Sequence, residues 1–82
     1  MNKIKILFFA TLRARAGTRA LELEISGDTT IRDLKNKLAG DYPNLTESMK
    51  AVLVTINREY AFDEAVIPES AEIALFPPVS GG

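Results

Sequence analysis

The stretch TIRDLKNKLAG, residues 30–40, differs in its periodicity from the alternating segments that come before and after it in the sequence. Its apolar side chains recur at intervals of three and four, which places them on one side of a helix. These are Ile31, Leu34 and Leu38. Thr30 is predicted to cap the helix, with Asp33 completing a weak capping box at the positive end of the helix dipole. We expect Gly40 to end the helix.

Two strands are predicted before this helix. KIKILFF, residues 3–9, alternates and then becomes apolar on both faces, as in a central strand, whereas ALELEIS, residues 20–26, alternates cleanly. Between them, TLRARAGTR, residues 11–19, reads as a polar connection in which Gly17 supplies a positive φ. The two strands are therefore expected to form a long hairpin.

Three further strands are predicted after the helix. AVLVTIN, residues 51–57, and EIALF, residues 72–76, have strand periodicity, and Tyr60 falls in a very short strand between them. DYPNLTESMK, residues 41–50, is expected to be a loop with one short helical turn. This order predicts an α+β fold: a mixed sheet of four to five strands, its first and last strands adjacent at the centre, with one main helix on one face.

Composition narrows the function. The chain has 82 residues, 46% hydrophobic and 26% charged, with a formal net charge of −1, so neither nucleic acid nor an anionic membrane is an expected partner. No apolar run approaches a membrane span or a signal peptide, and a cytoplasmic location is expected. The sequence contains no cysteine and no histidine, which removes thiolate nucleophiles, imidazole bases and the usual zinc sites.

The sequence ends in FPPVSGG, residues 76–82. We expect a domain over residues 1–76 and an extended tail over residues 77–82, which reaches at most about 20 Å. Two prolines restrict its base to extended conformations. Gly81 and Gly82 have no side chain, so they can enter a channel that any Cβ would block.

Two local stretches narrow the interpretation further. LFFATLRARAG, residues 7–17, and FPPVSGG, residues 76–82, resemble the family of molybdopterin synthase small subunits, which are sulfur carriers with the ubiquitin-like β-grasp fold. The terminal stretch is the more specific, because ubiquitin-like proteins in general share the Gly-Gly ending but not the preceding Pro-Pro-Val-Ser.

The resemblance implies chemistry at Gly82. An adenylyltransferase related to ubiquitin-activating enzymes would consume ATP to form an acyl adenylate there. A sulfur donor such as a cysteine desulfurase or a rhodanese would then give a thiocarboxylate. The sulfur would pass to cyclic pyranopterin monophosphate in the large subunit, in an assembly of two small and two large subunits. By this resemblance the chain is a sulfurtransferase subunit with no catalytic side chains of its own, no metal and no permanently bound cofactor.

A partner-binding surface follows from strand parity and from the resemblance. If Ile4, Ile6 and Phe8 face the helix, the neighbouring positions Leu7, Phe9, Ala74 and Phe76 lie on the opposite, uncovered face. The resemblance implies contacts with both the adenylating enzyme and the large subunit at these residues of the tail and its base: Phe9, Arg13, Tyr60, Phe76, Pro77, Pro78, Val79 and Ser80.

Other functions stay open at this point. The chain could be a sulfur carrier for thiamin synthesis or tRNA thiolation, a protein modifier joined through Gly82 to lysines of its targets, or a passive interaction domain with an incidental tail. Arg13, Arg15 and Arg19 are also compatible with an ordinary solvated loop.

Overall fold

The computed structural model describes residues 2–78 of the chain. This range contains two α-helices, two short 3-10 helices and five strands. In chain order they are β1 (Asn2–Phe8), α1 (Thr11–Ala16), β2 (Ala20–Ile25), α2 (Ile31–Asp41), the 3-10 helices Pro43–Leu45 and Ser48–Lys50, β3 (Leu53–Ile56), β4 (Glu59–Tyr60) and β5 (Glu72–Phe76). Neither α-helix in this range has the length and apolar character that crossing a membrane requires.

The strands form one mixed sheet in the order β2-β1-β5-β3-β4. β1 and β5 run parallel, and the other neighbours are antiparallel. The predicted adjacency of the first and last strands is confirmed, and β5 lies at the centre with β1 on one side and β3 on the other. This is the ubiquitin-like β-grasp arrangement that the sequence predicted.

Helix α2 packs on one face of this sheet through the predicted stripe, since Ile31, Leu34 and Leu38 are all buried. Its capping box is complete: the Asp33 amide donates to the Thr30 hydroxyl at 3.2 Å, and the Thr30 amide donates to the Asp33 carboxylate at 3.1 Å. The strand side of the core includes the predicted inward residues Ile4, Ile6, Phe8, Ile73 and Leu75.

The prediction that Gly40 ends α2 is wrong. The helix continues to Asp41, and the Tyr42 amide still donates to the Leu38 carbonyl at 2.8 Å. A single glycine costs a helix only about 1 kcal/mol, so it weakens the helix without stopping it. The helix ends before Pro43, which disfavours helical backbone in the residue that precedes it.

The connection between β1 and β2 also differs from the prediction. The two strands pair antiparallel as expected, from Asn2 opposite Ile25 to Leu7 opposite Ala20. Between them lies helix α1 instead of an irregular loop, and its Leu12 side chain is buried in the core. Gly17 has the predicted positive φ, 76°, and its amide closes the helix on the Arg13 carbonyl at 3.0 Å.

The segment after α2 forms two short helical turns where one was predicted. Pro43–Leu45 and Ser48–Lys50 are both 3-10 helices, and they bury Leu45 and Met49 respectively. These two side chains extend the core beneath the end of the sheet, so the segment is part of the packed domain.

Candidate partner-binding site

The candidate site lies on the sheet face opposite α2, where β1 and β5 run side by side. Leu7 is paired with Ala74 in the parallel register, and the Phe9 amide donates to the Leu75 carbonyl at 3.2 Å, just beyond the end of β1. Side chains alternate along each strand, so burial of Phe8 and Leu75 toward α2 leaves Leu7 and Phe9 on the other face.

Two phenylalanines form the apolar centre of this face. The rings of Phe9 and Phe76 stack with centroids 4.7 Å apart and planes 11° apart, and both side chains are only half-buried. An aromatic pair of this kind is worth about 0.5–1.5 kcal/mol beyond its area burial, so each ring holds the other in place. The pair is therefore a preformed apolar surface at the point where the chain leaves the sheet.

A groove of about 450 Å³, which we call the sheet groove, surrounds the stacked rings. Four of its residues are apolar, namely Leu7, Phe9, Ala74 and Phe76, and four are polar or amphipathic, namely Thr55, Arg58, Tyr60 and Glu72. The structure thus brings together three of the predicted contact residues, Phe9, Tyr60 and Phe76. Tyr60 is 75% exposed at the short edge strand β4.

Arg13, the fourth predicted contact residue near the tail base, lies on α1 and is exposed, but it is not among the residues that line the sheet groove. The guanidinium side chain that lines the groove belongs to Arg58. Sequence reasoning assigned no binding role to Arg58. The signal that could have found it is the turn between β3 and β4, which places its middle residues beside the start of β5.

The conformation of that turn positions Arg58. Asn57 and Arg58 both have left-handed backbone, with φ of 50° and 74°, as a tight turn between two antiparallel strands requires. Asn57 also ties the turn to β5: its amide donates to the Glu72 carbonyl at 2.8 Å, and its side-chain oxygen accepts from the Glu72 amide at 2.9 Å. Arg58 is therefore carried by a turn that is anchored to the central strand.

The base of the tail lies in a second cleft, which we call the tail-base cleft. Pro77 and Pro78 line it from one side, and α1 and the second 3-10 helix line it from the other. The charged residues in its lining are Arg15 and Glu47. Val79, Ser80, Gly81 and Gly82, which carry the remaining site predictions, lie outside the described residues, and the predicted tail over residues 77–82 stays a prediction.

Charged side chains lie beside the apolar half of this sheet face. In the strand registers, Lys3 is opposite Glu24, and Lys5 is opposite both Glu22 and Glu72. Opposite charges at neighbouring positions of adjacent strands stabilise a sheet by a few tenths of a kcal/mol per pair. The half of the face near β2 is thus suited to water, and the half near β5 is suited to binding a partner.

What the site offers is recognition. Stacked aromatic rings, a phenol and a guanidinium are the side chains that dominate the binding energy of protein interfaces. Phe76 of the sheet groove is followed directly by Pro77 of the tail-base cleft, so the groove lies next to the base of the tail.

Known proteins have sequences similar to this chain over nearly its whole length. The ThiS family model matches residues 6–82. The molybdopterin synthase sulfur carrier subunit of Arabidopsis thaliana is 34% identical over 80 residues, which cover 98% of this chain and 83% of that protein. Small archaeal modifier protein 1 of Haloferax volcanii is 35% identical over 82 residues, which cover 90% of this chain and 94% of that protein.

A solved structure agrees with the fold at similar identity. The crystal structure of SAMP1 from Haloferax volcanii matches with a TM-score of 0.84 and 31% identity, and the match covers 99% of this chain and 100% of that one. The resemblance to molybdopterin synthase small subunits is confirmed by these relatives. The chain therefore belongs to the ThiS family, whose members similar to it include both molybdopterin synthase sulfur carrier subunits and a small archaeal modifier protein.

Proposed function

We propose that this chain is the sulfur carrier subunit of a molybdopterin synthase and that Gly82 carries the sulfur. The observation that carries the proposal is the near full-length similarity to proteins named as that subunit, at 34% identity to the Arabidopsis thaliana protein. The preformed sheet groove beside the base of a Pro-Pro-Val-Ser-Gly-Gly tail supports it, because a carrier needs a docking surface next to its reactive end.

The reaction requires activation of the tail. A C-terminal carboxylate has a pKa of about 3.3–3.7 and is ionised at neutral pH, where it is a poor electrophile. In the proposed first step, a Gly82 carboxylate oxygen attacks the α-phosphorus of ATP in an adenylyltransferase related to ubiquitin-activating enzymes, and pyrophosphate leaves. The outer sulfur of a persulfide on a cysteine desulfurase or a rhodanese then attacks the carbonyl carbon, and AMP leaves to give an acyl disulfide. A thiol attacks the donor's sulfur in this disulfide, forms a new disulfide with it, and so releases the Gly82 thiocarboxylate.

The sequence of the chain itself prevents a side reaction of the activated carbonyl and restricts the conformations of the tail. It contains no cysteine, so no internal thiol can capture the activated carbonyl of Gly82. Pro77 and Pro78 restrict the tail base, and each compatible proline saves on the order of 0.4–1 kcal/mol of ordering entropy when a partner binds. Gly81 and Gly82 present no side chain to a narrow active-site channel.

The receiving partner in this proposal is the large subunit, in an assembly of two small and two large subunits. Its active site would take up the tail, and the thiocarboxylate sulfur would pass to cyclic pyranopterin monophosphate, two such transfers building the dithiolene. The half-buried Phe9–Phe76 stack and the exposed Tyr60 are the surface that we assign to this docking and to docking of the adenylating enzyme.

A second function has support of its own. The chain is 35% identical to small archaeal modifier protein 1, so conjugation through Gly82 to lysines of target proteins is the main alternative. Both functions begin with the same adenylate and differ in the nucleophile that attacks it: a sulfur atom for the carrier and a lysine amine for the modifier.

Intact-mass measurement separates these functions. The chain is incubated with ATP, the adenylating enzyme and a sulfur source. Replacement of one oxygen by sulfur, lost in a variant that lacks Gly82, supports the carrier, and larger adducts on other proteins support the modifier. An unchanged mass contradicts both. Molybdopterin formation from the pyranopterin with the large subunit then distinguishes this carrier from one for thiamin synthesis or tRNA thiolation.

A further inference from the structure

Three large apolar side chains are strongly exposed within seven residues of the sequence. The exposed fraction is 75% for Tyr60, 80% for Phe62 and 56% for Val66. Among residues 2–78, these are the large hydrophobic side chains that are mostly exposed to solvent. All three line one groove, which we call the side groove, at the outer edge of the sheet beyond β4. Clustered exposed apolar side chains on a small domain mark an interaction site more often than scattered ones do.

The segment that carries Phe62 and Val66 is fixed to helix α2. The Ile31 amide donates to the Ala65 carbonyl and the Arg32 amide donates to the Asp63 carbonyl, both at 3.0 Å. Two ion pairs add to these bonds: Lys35 with Asp63 at 2.6 Å and Arg32 with Glu64 at 2.9 Å. With its neighbours held in this way, Phe62 is directed outward in a preformed position, which lowers the entropy cost of binding.

The charge of the side groove selects its partner. Among the described residues that line it, two are acidic, Glu59 and Glu64, and none is basic. Glu64 is already paired with Arg32, so the charge preference of the groove rests on Glu59. A second copy of this chain docked through its own side groove would bring Glu59 toward Glu59, at an electrostatic cost. A surface that presents an apolar side chain flanked by lysine or arginine would instead complement both the exposed rings and the carboxylates.

The side groove is continuous with the sheet groove, because Tyr60 lines both. We infer, on the basis of the proposed function, that the docking surface for the large subunit extends across Tyr60 onto Phe62 and Val66, where that subunit presents a basic, apolar segment. The partner then holds the carrier at two places, one beside the tail and one at the sheet edge, which fixes the direction in which the tail enters.

The test is the affinity of the purified large subunit for variants of the full chain, measured by calorimetry at low and high salt. We expect the double variant Phe62→Ala/Val66→Ala to bind at least about tenfold more weakly, because it loses two apolar contacts with the partner. The variant should still fold, because both side chains are exposed and lie outside the core. Glu59→Lys should also weaken binding, most strongly at low salt, where charges are least screened. The matched control is Glu69→Lys, which makes an equal change of charge in the connection between β4 and β5 but outside the lining of the side groove.

The outcomes distinguish this inference from the proposed function. If the double variant and Glu59→Lys bind with unchanged affinity while Phe76→Ala binds more weakly, the side groove is not part of the interface and the inference is overturned alone. If Glu69→Lys weakens binding as much as Glu59→Lys, the effect is one of overall charge, and the specific role of the groove is also overturned. If the unmodified chain does not bind the large subunit, the proposed function itself fails.

Discussion

Phe76, the last residue of β5, contributes both to the pairing of the sheet and to the candidate binding surface. Its backbone pairs with Leu53 of β3, so it belongs to the sheet, while its ring stacks on Phe9 on the face away from α2. A side chain that is half-buried and stacked can lose its ring without opening the core, because the buried layer of Phe8 and Leu75 lies on the other face. Binding and folding are therefore separable at this residue.

For Phe76→Ala we expect a folded protein that binds the large subunit about thirtyfold more weakly, the loss typical of a central interface residue at about 2 kcal/mol. Stability should fall by about 1 kcal/mol with the loss of the stack. Calorimetry measures the binding and circular dichroism checks the fold. Lys3→Ala, on the charged half of the same face, should bind normally, and a normal affinity for Phe76→Ala would refute the role of the sheet groove.

Gly17 allows a second prediction that concerns one residue. An added Cβ would meet no heavy atom within 4 Å, so the cost of Gly17→Ala comes from the φ of 76° alone, about 1 kcal/mol of unfolding free energy. Urea denaturation measures it. Gly27→Ala is the matched control, because Gly27 has the same open surroundings without the left-handed backbone, and equal effects of the two changes would contradict this explanation.

The helices show which elements the sequence can predict. α2 was recognisable because three independent signals agree: the apolar stripe, the Thr30 cap and Asp33. α1 was missed because its six residues contain a single fully buried apolar side chain, Leu12, and because Ala10 precedes it where a capping residue would have marked its start. Gly17 was the one signal for its end, and that signal predicts a turn equally well.

Inside α2, replacement of Gly40 should stabilise the protein. The residue is exposed and an added Cβ meets nothing within 4 Å. Glycine costs a helix interior about 1 kcal/mol relative to alanine, which is an upper limit for Gly40 because it lies in the last turn of α2. We therefore expect Gly40→Ala to raise the free energy of unfolding by up to about 1 kcal/mol, measured by urea denaturation. A destabilised variant would show that the helix does not extend through this position.

The ion pair that links α2 to residues 61–66 predicts that the stability of the fold depends on pH. The hydrogen bond from Lys35 lowers the pKa of Asp63 below its usual value, helped by the positive charges of Lys35 and Arg32 and opposed by partial burial. The carboxylate therefore stabilises the fold at pH values above about 4, the pKa of an unfolded aspartate, and this contribution is lost as the pH falls through the lower folded pKa.

Asp63→Asn tests this link. The variant should be less stable than the parent by at most about 1 kcal/mol near neutral pH, because the Asp63 side chain is 41% exposed and solvent screens the pair. The difference should disappear as the pH falls below about 4. Thermal unfolding followed at several pH values measures it, and a difference that stays constant down to the acid limit would rule out the ion pair as its cause.

For the whole molecule, the sequence predicted the architecture better than the site. Strand order and the helix face follow from periodicity and from the connection rules for sheets, which leave few alternatives for a chain of this size. The grooves depend on how edges and turns meet: Arg58 reaches the sheet groove through a left-handed turn, and Phe62 is directed outward by backbone bonds to α2. The contacts that fix these positions join distant residues, Asn57 with Glu72 and Ile31 with Ala65, so the turn signal at residues 57 and 58 does not by itself say which groove Arg58 lines.

The position of β5 in the sheet has a consequence for synthesis in the cell. The strand is made after every other strand, yet it fills the middle of the sheet between β1 and β3. A nascent or prematurely terminated polypeptide without it cannot close the sheet, and the Phe9 ring has no Phe76 on which to stack. A partner that recognises this surface would consequently bind only copies in which the last strand has been added to the sheet.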